Sequence, residues 1–173
     1  QARLLHAEND LDEAILLIQQ LRKAFPSSLP IAAFEGRLYG DAQDDVALRD
    51  WLTSAPEGIE QEPEYWATLG AWLQRQDRHR GAVRCLGEAV RRDPTDRFSY
   101  DRLQRSLRFL GQEQAADRVA ERFQLLVETA AMARKFGQER GSKSELYRMA
   151  DLLMELHRPW EAIGWRSVAL STF

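Results

Sequence analysis

The stretch EYWATLGAWLQRQDRHRGAVRCLGEAVRRDP, residues 64–94, decides the fold class. Its apolar and small residues recur every three or four positions on either side of the polar segment QRQDRHR, the spacing of two amphipathic helices joined by a turn. These residues are Trp66, Leu69, Gly70, Leu73, Ala82, Leu86 and Ala89, and Pro94 follows the second helix. Because proline lacks the amide that continues a helical hydrogen-bond ladder, Pro94 ends that helix. The stretch therefore predicts a helix-turn-helix unit.

The same pattern recurs along the chain. The alanines that follow each predicted turn are Ala14, Ala47, Ala82, Ala116 and Ala162, at intervals of 33, 35, 34 and 46 residues. Helices of about 12 to 14 residues are marginal in isolation, so each must bury an apolar face against its neighbours. Small residues such as Gly70 and Ala82 let the two helices of one unit approach closely. We therefore predict an all-α array of stacked helix pairs.

Residues 63–96 resemble the tetratricopeptide repeat (TPR), a helix-turn-helix unit of about 34 residues, at eight signature positions in one register. The resemblance covers nearly the whole chain in about five units, at about 1–27 (truncated), 28–62, 63–96, 97–142 and 143–173. Residues 28–62 match less closely, since Glu35 stands where a small residue is expected. The resemblance implies a right-handed α-solenoid whose first helices line a concave surface. We also expect this array to be a fragment of a larger protein.

The fourth unit is longer than the others. Its apolar period continues from Ala116 to Ala133 without Pro or Gly, which predicts one long helix near 112–136. The segment GQERGSKS then turns the chain, and Ser142 with Glu145 predicts a capping box for the next helix.

The TPR resemblance also implies which residues face a ligand. The positions on the first helices that contact ligands in TPR proteins are here Tyr39, Arg75, Phe98, Asp101, Arg102, Arg105, Arg108, Phe109, Tyr147 and Arg148. Guanidinium groups suit carboxylates and phosphates, and aromatic rings add rigid contact area. Two interpretations stay open, a solvated helix face balanced by Asp101 and nearby acids, or a groove for an acidic or extended peptide. The two-carboxylate clamp of chaperone-binding TPR proteins is not expected, because Ala67 and Ala71 replace its polar residues.

Composition and motifs argue against other classes of function. Of the 173 residues 44% are hydrophobic and 29% charged, as in a globular protein. No apolar run approaches the roughly 20 residues of a membrane span, so we expect no membrane insertion. His6, His79 and His157 have no neighbouring ligands at metal-binding spacing, and no phosphate loop or nucleophile motif occurs. We expect no catalytic activity, no metal and no cofactor. The acidic pI of about 5.7 argues against nucleic acid as the partner.

We therefore expect a non-catalytic scaffold that binds a protein or peptide partner, with an acidic partner as one option, on its concave face. Two alternatives are a recruitment or regulatory region of a larger enzyme or surface protein, and an oligomerisation module. A weaker resemblance to the TPR regions of bacterial ASPIC/UnbV-type extracytoplasmic proteins implies a periplasmic or extracytoplasmic location, with the cytoplasm as the alternative.

Two tryptophans lie near the C-terminal end. Trp160 and Trp165 are five residues apart, which separates them by about 140° around a helix. They therefore cannot share one narrow face. We predict that one packs inward while the other faces the next element, which lies beyond this sequence.

Overall fold

The computed structural model describes residues 1–7, 10–139 and 141–172. Its α-helices are α1 (Ala2–Ala7), α2 (Leu11–Ala24), α3 (Leu29–Asp41), α4 (Asp45–Ser54), α5 (Pro63–Arg75), α6 (His79–Arg92), α7 (Arg97–Phe109), α8 (Glu113–Phe136), α9 (Lys143–Glu155) and α10 (Pro159–Thr172). A short 3-10 helix, Ile59–Gln61, precedes α5. No strand occurs among the described residues, which confirms the all-α prediction. Glu8 and Asn9, in the predicted end of the first helix, and Arg140, in the predicted turn after α8, lie outside the described residues.

The helix starts repeat with a fixed period. The helices α2, α4, α6 and α8 begin at Leu11, Asp45, His79 and Glu113, at equal intervals that match the period expected of a TPR array. The helices α3, α5 and α7 begin at Leu29, Pro63 and Arg97, with the same interval between them. Both series then advance by a longer interval, to Lys143 and Pro159, because α8 is 24 residues long. The predicted long helix near 112–136 is thus confirmed.

The turns inside the helix pairs repeat with the same period. A residue with left-handed backbone occupies the turns that follow α3, α5, α7 and α9, namely Gln43 (φ 57°), Asp77 (φ 56°), Gly111 (φ 71°) and His157 (φ 59°). The amide of the next residue donates to the carbonyl five positions earlier, as Arg78 does to Leu73 at 2.9 Å. This hydrogen bond is the outer bond of a Schellman motif, and it satisfies a carbonyl that the end of the helix leaves without a partner.

The structure corrects the register that we predicted for the second helix pair. Leu48, not Ala47, is fully buried at the position equivalent to Ala82. Similarly Gly36, not Glu35, stands one repeat period before Gly70. A β-carbon on Gly70 would lie 2.6 Å from Leu86 Cγ, and one on Gly36 would overlap the Trp51 ring. The two glycines therefore have the same role, which is to admit a large side chain of the second helix.

The chain forms two compact bodies, Gln1–Gln112 and Glu113–Phe173. In the N-terminal body, Ile18, Phe34 and Leu38 pack together between α1, α2 and α3. Leu48 and Trp51 of α4 pack on α3 beside Ile59.

In the C-terminal body, the core joins α8, α9 and α10. Met149, Leu153 and Ala162 form its centre, and Phe136 and Trp165 pack against them. Ser142 caps α9 and forms the predicted capping box with Glu145. Trp165 thus packs inward, while Trp160 is 84% exposed, as predicted for this pair.

Candidate binding groove in the N-terminal body

The first helices α3, α5 and α7 create a groove because the middle helix has a floor of small residues. Ala67 and Ala71 of α5 and Gly40 of α3 project little or no side chain into the space between the helices. Arg37 of α3 and Arg102 of α7 line the same cleft, whose cavity volume is only about 20 Å³. We call this cleft and the wider cavity beside it the groove.

The wider cavity, of about 510 Å³, shares Arg37, Asp96 and Phe98 with the cleft. Arginine side chains lie over the faces of its aromatic rings. The Arg3 guanidinium lies 4.7 Å from the Phe34 ring centre, and that of Arg97 lies 4.8 Å from the Phe98 ring centre. In such a cation-π contact, the positive charge of the guanidinium is attracted to the electron-rich face of the ring. Phe98 nevertheless remains 52% exposed, so its ring is available for contact.

Carboxylates in the groove are already engaged within the chain. Asp41 Oδ2 accepts from His6 Nε2 at 2.9 Å and lies 3.5 Å from Arg37 Nε. Glu64 pairs with Arg3 at 2.8 Å. These acids therefore neutralise the arginines at the α1 and α3 side of the groove.

Arg102 differs from those arginines. No hydrogen bond or ion pair joins its guanidinium to another residue in the described part of the chain, and the side chain is half-buried. Burial lowers the pKa of Arg102 below the ordinary arginine range, nearby Asp41 opposes this, and the positive charge of Arg37 adds to it. Because arginine stays protonated in proteins, Arg102 is a partly dehydrated cation with no contacting counter-ion among the described residues.

Thr68, on the floor of the same cleft, is also incompletely satisfied. It is 5% exposed, and its hydroxyl has no hydrogen-bond partner among the described residues. Buried hydroxyls are usually paired, since an unpaired one loses its hydration without compensation. Within the described chain, the cleft thus has an unpaired guanidinium on its lining and an unpaired hydroxyl buried beneath its floor.

The structure brings Phe98 and Arg102, from the predicted ligand-facing set, into the groove. Asp101 and Arg105 instead form an ion pair one helical turn apart on α7. Arg108 and Phe109 are exposed at the end of α7, where the Phe109 ring stacks on His79 with centres 3.7 Å apart. These residues do not line the groove.

Two further predicted residues brace the helices. Arg75 donates to the Gly40 carbonyl and to Asp45, both at 3.0 Å, and so ties α5 to the end of α3. The Tyr39 hydroxyl donates to Glu35 and accepts from Gln19, both at 3.1 Å, between α2 and α3. Burial there raises the pKa of Glu35.

Tyr147 and Arg148 belong to α9 of the C-terminal body. Tyr147 is partly buried. Arg148 forms two hydrogen bonds to Glu128 of α8, at 2.9 and 3.0 Å, and its hydrogen bonds to that carboxylate raise the pKa of Arg148. In this structure Arg148 therefore joins two helices of its own body.

Sequence reasoning did not select Arg37, Asp41 or Thr68. The first two were missed because the register of the second unit was set one residue early. Gly36, one repeat period before Gly70, was the available signal for the correct register. Thr68 was not considered, and its unpaired hydroxyl, found among the described residues, cannot be read from sequence.

The described part of the groove contains no arrangement that suggests catalysis. His6 and Asp41 touch, yet the His6 ring packs edge-on against Phe34 and no described hydroxyl or thiol is hydrogen-bonded to it. The described residues contain no group of three or more His, Cys, Asp or Glu that could hold a metal. None of the described helices has the length and apolarity required to span a bilayer.

Comparison with solved structures identifies the fold. The chain is similar to MamA, with 17% identity and a TM-score of 0.53 over 98% of this chain and 92% of that one. It is also similar to a thermophilic TPR protein of Thermus thermophilus, with 18% identity and a TM-score of 0.58 over 98% and 87% of the two chains. No family model matches the sequence, and no curated protein matches it. The chain therefore has a TPR-like helical repeat fold.

Proposed function

We propose that the chain is a non-catalytic protein-interaction scaffold whose groove binds an extended, acidic segment of a partner protein. The observation that carries the proposal is the half-buried guanidinium of Arg102, which lines the cleft and forms no ion pair or hydrogen bond within the described chain. A carboxylate of the partner supplies the contacting counter-ion that Arg102 lacks there. Charge-assisted hydrogen bonds of this kind are stronger than neutral ones.

The shape of the groove supports an extended segment. The wider cavity beside the cleft, of about 510 Å³, has room for an extended segment, and the exposed Phe98 ring, which lines both, offers an apolar contact beside the charged one. Because the helices are held by their own packing, the groove needs little ordering when a ligand arrives. The fold is consistent with this role, since repeat proteins present extended concave surfaces for binding.

The test uses a fluorescein-labelled peptide in which Asp alternates with Leu, and a matched peptide with Asn in place of Asp. Fluorescence anisotropy should show tighter binding of the Asp peptide, and Arg102→Gln should weaken that binding by about tenfold or more, since tenfold is about 1.4 kcal/mol. Arg105→Gln is the matched control, because Arg105 lies on the same helix and is already paired with Asp101. Equal affinities for the two peptides, or equal losses in the two variants, would contradict the proposal.

A further inference from the structure

His6 of α1 and Arg37 of α3 contact the same carboxylate oxygen. Asp41 Oδ2 lies 2.9 Å from His6 Nε2 and 3.5 Å from Arg37 Nε. The three side chains are exposed by only 21 to 29%, so water and salt screen their charges less than at an open surface. We call these three residues the His6 cluster. One negative charge in it faces two basic groups, and imidazole is the one that changes its charge near neutral pH.

The His6 cluster lies where the two parts of the groove meet. Arg37 lines both the cleft and the wider cavity, Asp41 lines the cleft, and His6 lines the wider cavity. The negative charge of Asp41 also acts on Arg102 of the cleft, where it favours the charged guanidinium. A change in the charge of the His6 cluster therefore acts on the residue that holds the partner's carboxylate in the proposed function.

The net charge of the His6 cluster depends on the state of the histidine. While the ring is neutral, the charges of Asp41 and Arg37 cancel. When the ring is protonated, the single carboxylate faces two cations, and one positive charge is left over. An anion in the groove is attracted more strongly in the second state, because the interaction between charges adds directly to binding at such short range.

The other charged groups around His6 belong to different chemical classes. Those that share its cavity are Arg3 of α1, Glu64 of α5, and Asp93, Asp96 and Arg97 at the start of α7. Carboxyl groups ordinarily titrate near about pH 4 and guanidinium groups above about pH 12. The helix α2 also packs against α1, but through apolar side chains such as Ala14 and Ile18. Among the described residues that line the groove, His6 is therefore the one imidazole.

We propose that His6 makes the groove sensitive to pH, so that the groove binds an acidic segment more tightly when His6 is protonated. This inference rests on the proposed function, because it concerns the regulation of the same site. Protonation engages Asp41 more fully through a charge-assisted hydrogen bond, and it adds positive charge beside Arg102. Both effects favour an incoming carboxylate. The groove therefore holds its partner in mildly acidic surroundings and releases it as the pH rises.

Isothermal titration calorimetry tests this inference with an unlabelled, end-capped peptide in which Asp alternates with Leu. The wild-type chain should bind this peptide about threefold or more tightly at about pH 5.5 than at about pH 8, and the Asp side chains are ionised at both. The ratio of the two affinities should fall to about one in His6→Gln. Near about pH 6.5, binding should also take up part of a proton, which buffers of different ionisation enthalpy reveal.

His79→Gln is the matched control. His79 is a partly buried histidine of the same body, but its ring stacks on Phe109 and does not line the groove. This variant should therefore keep both the pH dependence and the proton uptake of the wild type.

Asp41→Asn separates regulation from a structural role. With the carboxylate removed, Arg37 is no longer neutralised by Asp41, so this variant should bind the Asp peptide more tightly than the wild type at about pH 8. If the contact between His6 and Asp41 served only to join α1 to α3, the same change should loosen the groove and weaken binding. Circular dichroism checks that the variant is folded.

Three results would overturn the inference. They are equal wild-type affinities at the two pH values, the same pH dependence in His6→Gln as in the wild type, and weaker binding by folded Asp41→Asn. The proposed function is tested separately, by comparing the Asp peptide with its Asn counterpart at about pH 8. If the Asp peptide is preferred there but its affinity does not change with pH, this inference alone fails. If the Asp peptide is preferred at neither pH, both fail.

Discussion

The indole ring of Trp51 lies directly against the backbone of Gly36, where a β-carbon would overlap it. The ring is held there by a hydrogen bond of 2.8 Å from Trp51 Nε1 to the Ala32 carbonyl. Trp51 is 4% exposed, so neighbouring atoms surround the indole and leave no space into which it could move. This contact joins α3 to α4 in the helix pair that departs furthest from the repeat pattern.

The first prediction follows from that contact. Gly36→Ala should destabilise the chain by about 1 to 3 kcal/mol, because overpacking outweighs the gain in helix propensity. Gly87→Ala, in a helix with nothing near the added carbon, should instead stabilise it by about 0.5 to 1 kcal/mol. Urea unfolding followed by circular dichroism measures both. An equal gain in the two variants would show that Trp51 can move away at little cost.

The second prediction concerns the Thr68 hydroxyl, which is unpaired among the described residues. Thr68→Val removes the hydroxyl and keeps the shape, so the unliganded chain should be unchanged or more stable by up to about 1 kcal/mol. The same substitution should leave binding of the Asp-containing peptide unchanged, because the hydroxyl is buried. Thermal unfolding with and without that peptide measures both. A clear loss of stability without ligand would indicate that the hydroxyl has a partner inside the fold.

The third prediction concerns the capping box of α9. The Ser142 hydroxyl accepts from the Glu145 amide at 3.4 Å, while Glu145 accepts from the Ser142 amide at 2.8 Å. Ser142→Ala should destabilise the C-terminal body by about 1 kcal/mol, whereas Ser142→Asn, also a good N-cap, should restore most of the loss. Hydrogen exchange of the first α9 amides is the most direct measurement. Identical protection in Ala and Asn variants would contradict the capping role.

The fourth prediction concerns pH. The hydrogen bond from Lys135 Nζ, at 2.5 Å, and those from Ser142 lower the pKa of Glu145 to about 2, from an ordinary 4.5. A carboxyl whose folded pKa is depressed contributes stability above its unfolded pKa and loses it as the pH falls through the folded one. The advantage of the wild type over Glu145→Gln should therefore be full above about pH 4.5 and absent below about pH 2. Urea unfolding of both proteins across this pH range measures it.

A direct titration checks the cause. Carbon NMR of the Glu145 carboxyl should show the low pKa in the wild type and a marked rise in Lys135→Met, since Lys135 is the largest influence on it. An exposed pair is also sensitive to salt, so high ionic strength should raise the pKa of Glu145 in the wild type. No rise in Lys135→Met would assign the effect to Ser142 alone.

The repeat was predictable where its residues obey simple size rules. Gly70 and Ala82 must be small for α5 and α6 to pack closely. Small residues with this role recur at a fixed spacing, which can be read from the sequence. The prediction was wrong at Leu48, because a large residue occupies a place held elsewhere by alanine. Its helix compensates with Trp51 against Gly36, a pairing that becomes evident only when both helices are seen together.

The groove was predictable in part for a related reason. Phe98 and Arg102 lie on α7, whose register follows from the repeat period. The face of α7 on which their side chains lie could therefore be inferred from the sequence. Whether a charged residue there is paired depends on side chains from other helices. Arg105 pairs with Asp101 on its own helix, while Arg102 forms no ion pair in the described part of the chain and has Asp41 only nearby. Sequence placed both arginines on one surface, and only the structure separated them.

Gly70 and Ala71 are neighbours in the chain that face different ways, Gly70 toward Leu86 of α6 and Ala71 into the groove. Selection for folding and selection for partner choice therefore fall on adjacent but different residues. Substitutions at Ala67 or Ala71 can reshape the floor of the groove while the contact between α5 and α6 stays intact. Divergence in what such a chain recognises can thus proceed without approaching the stability threshold that limits most proteins.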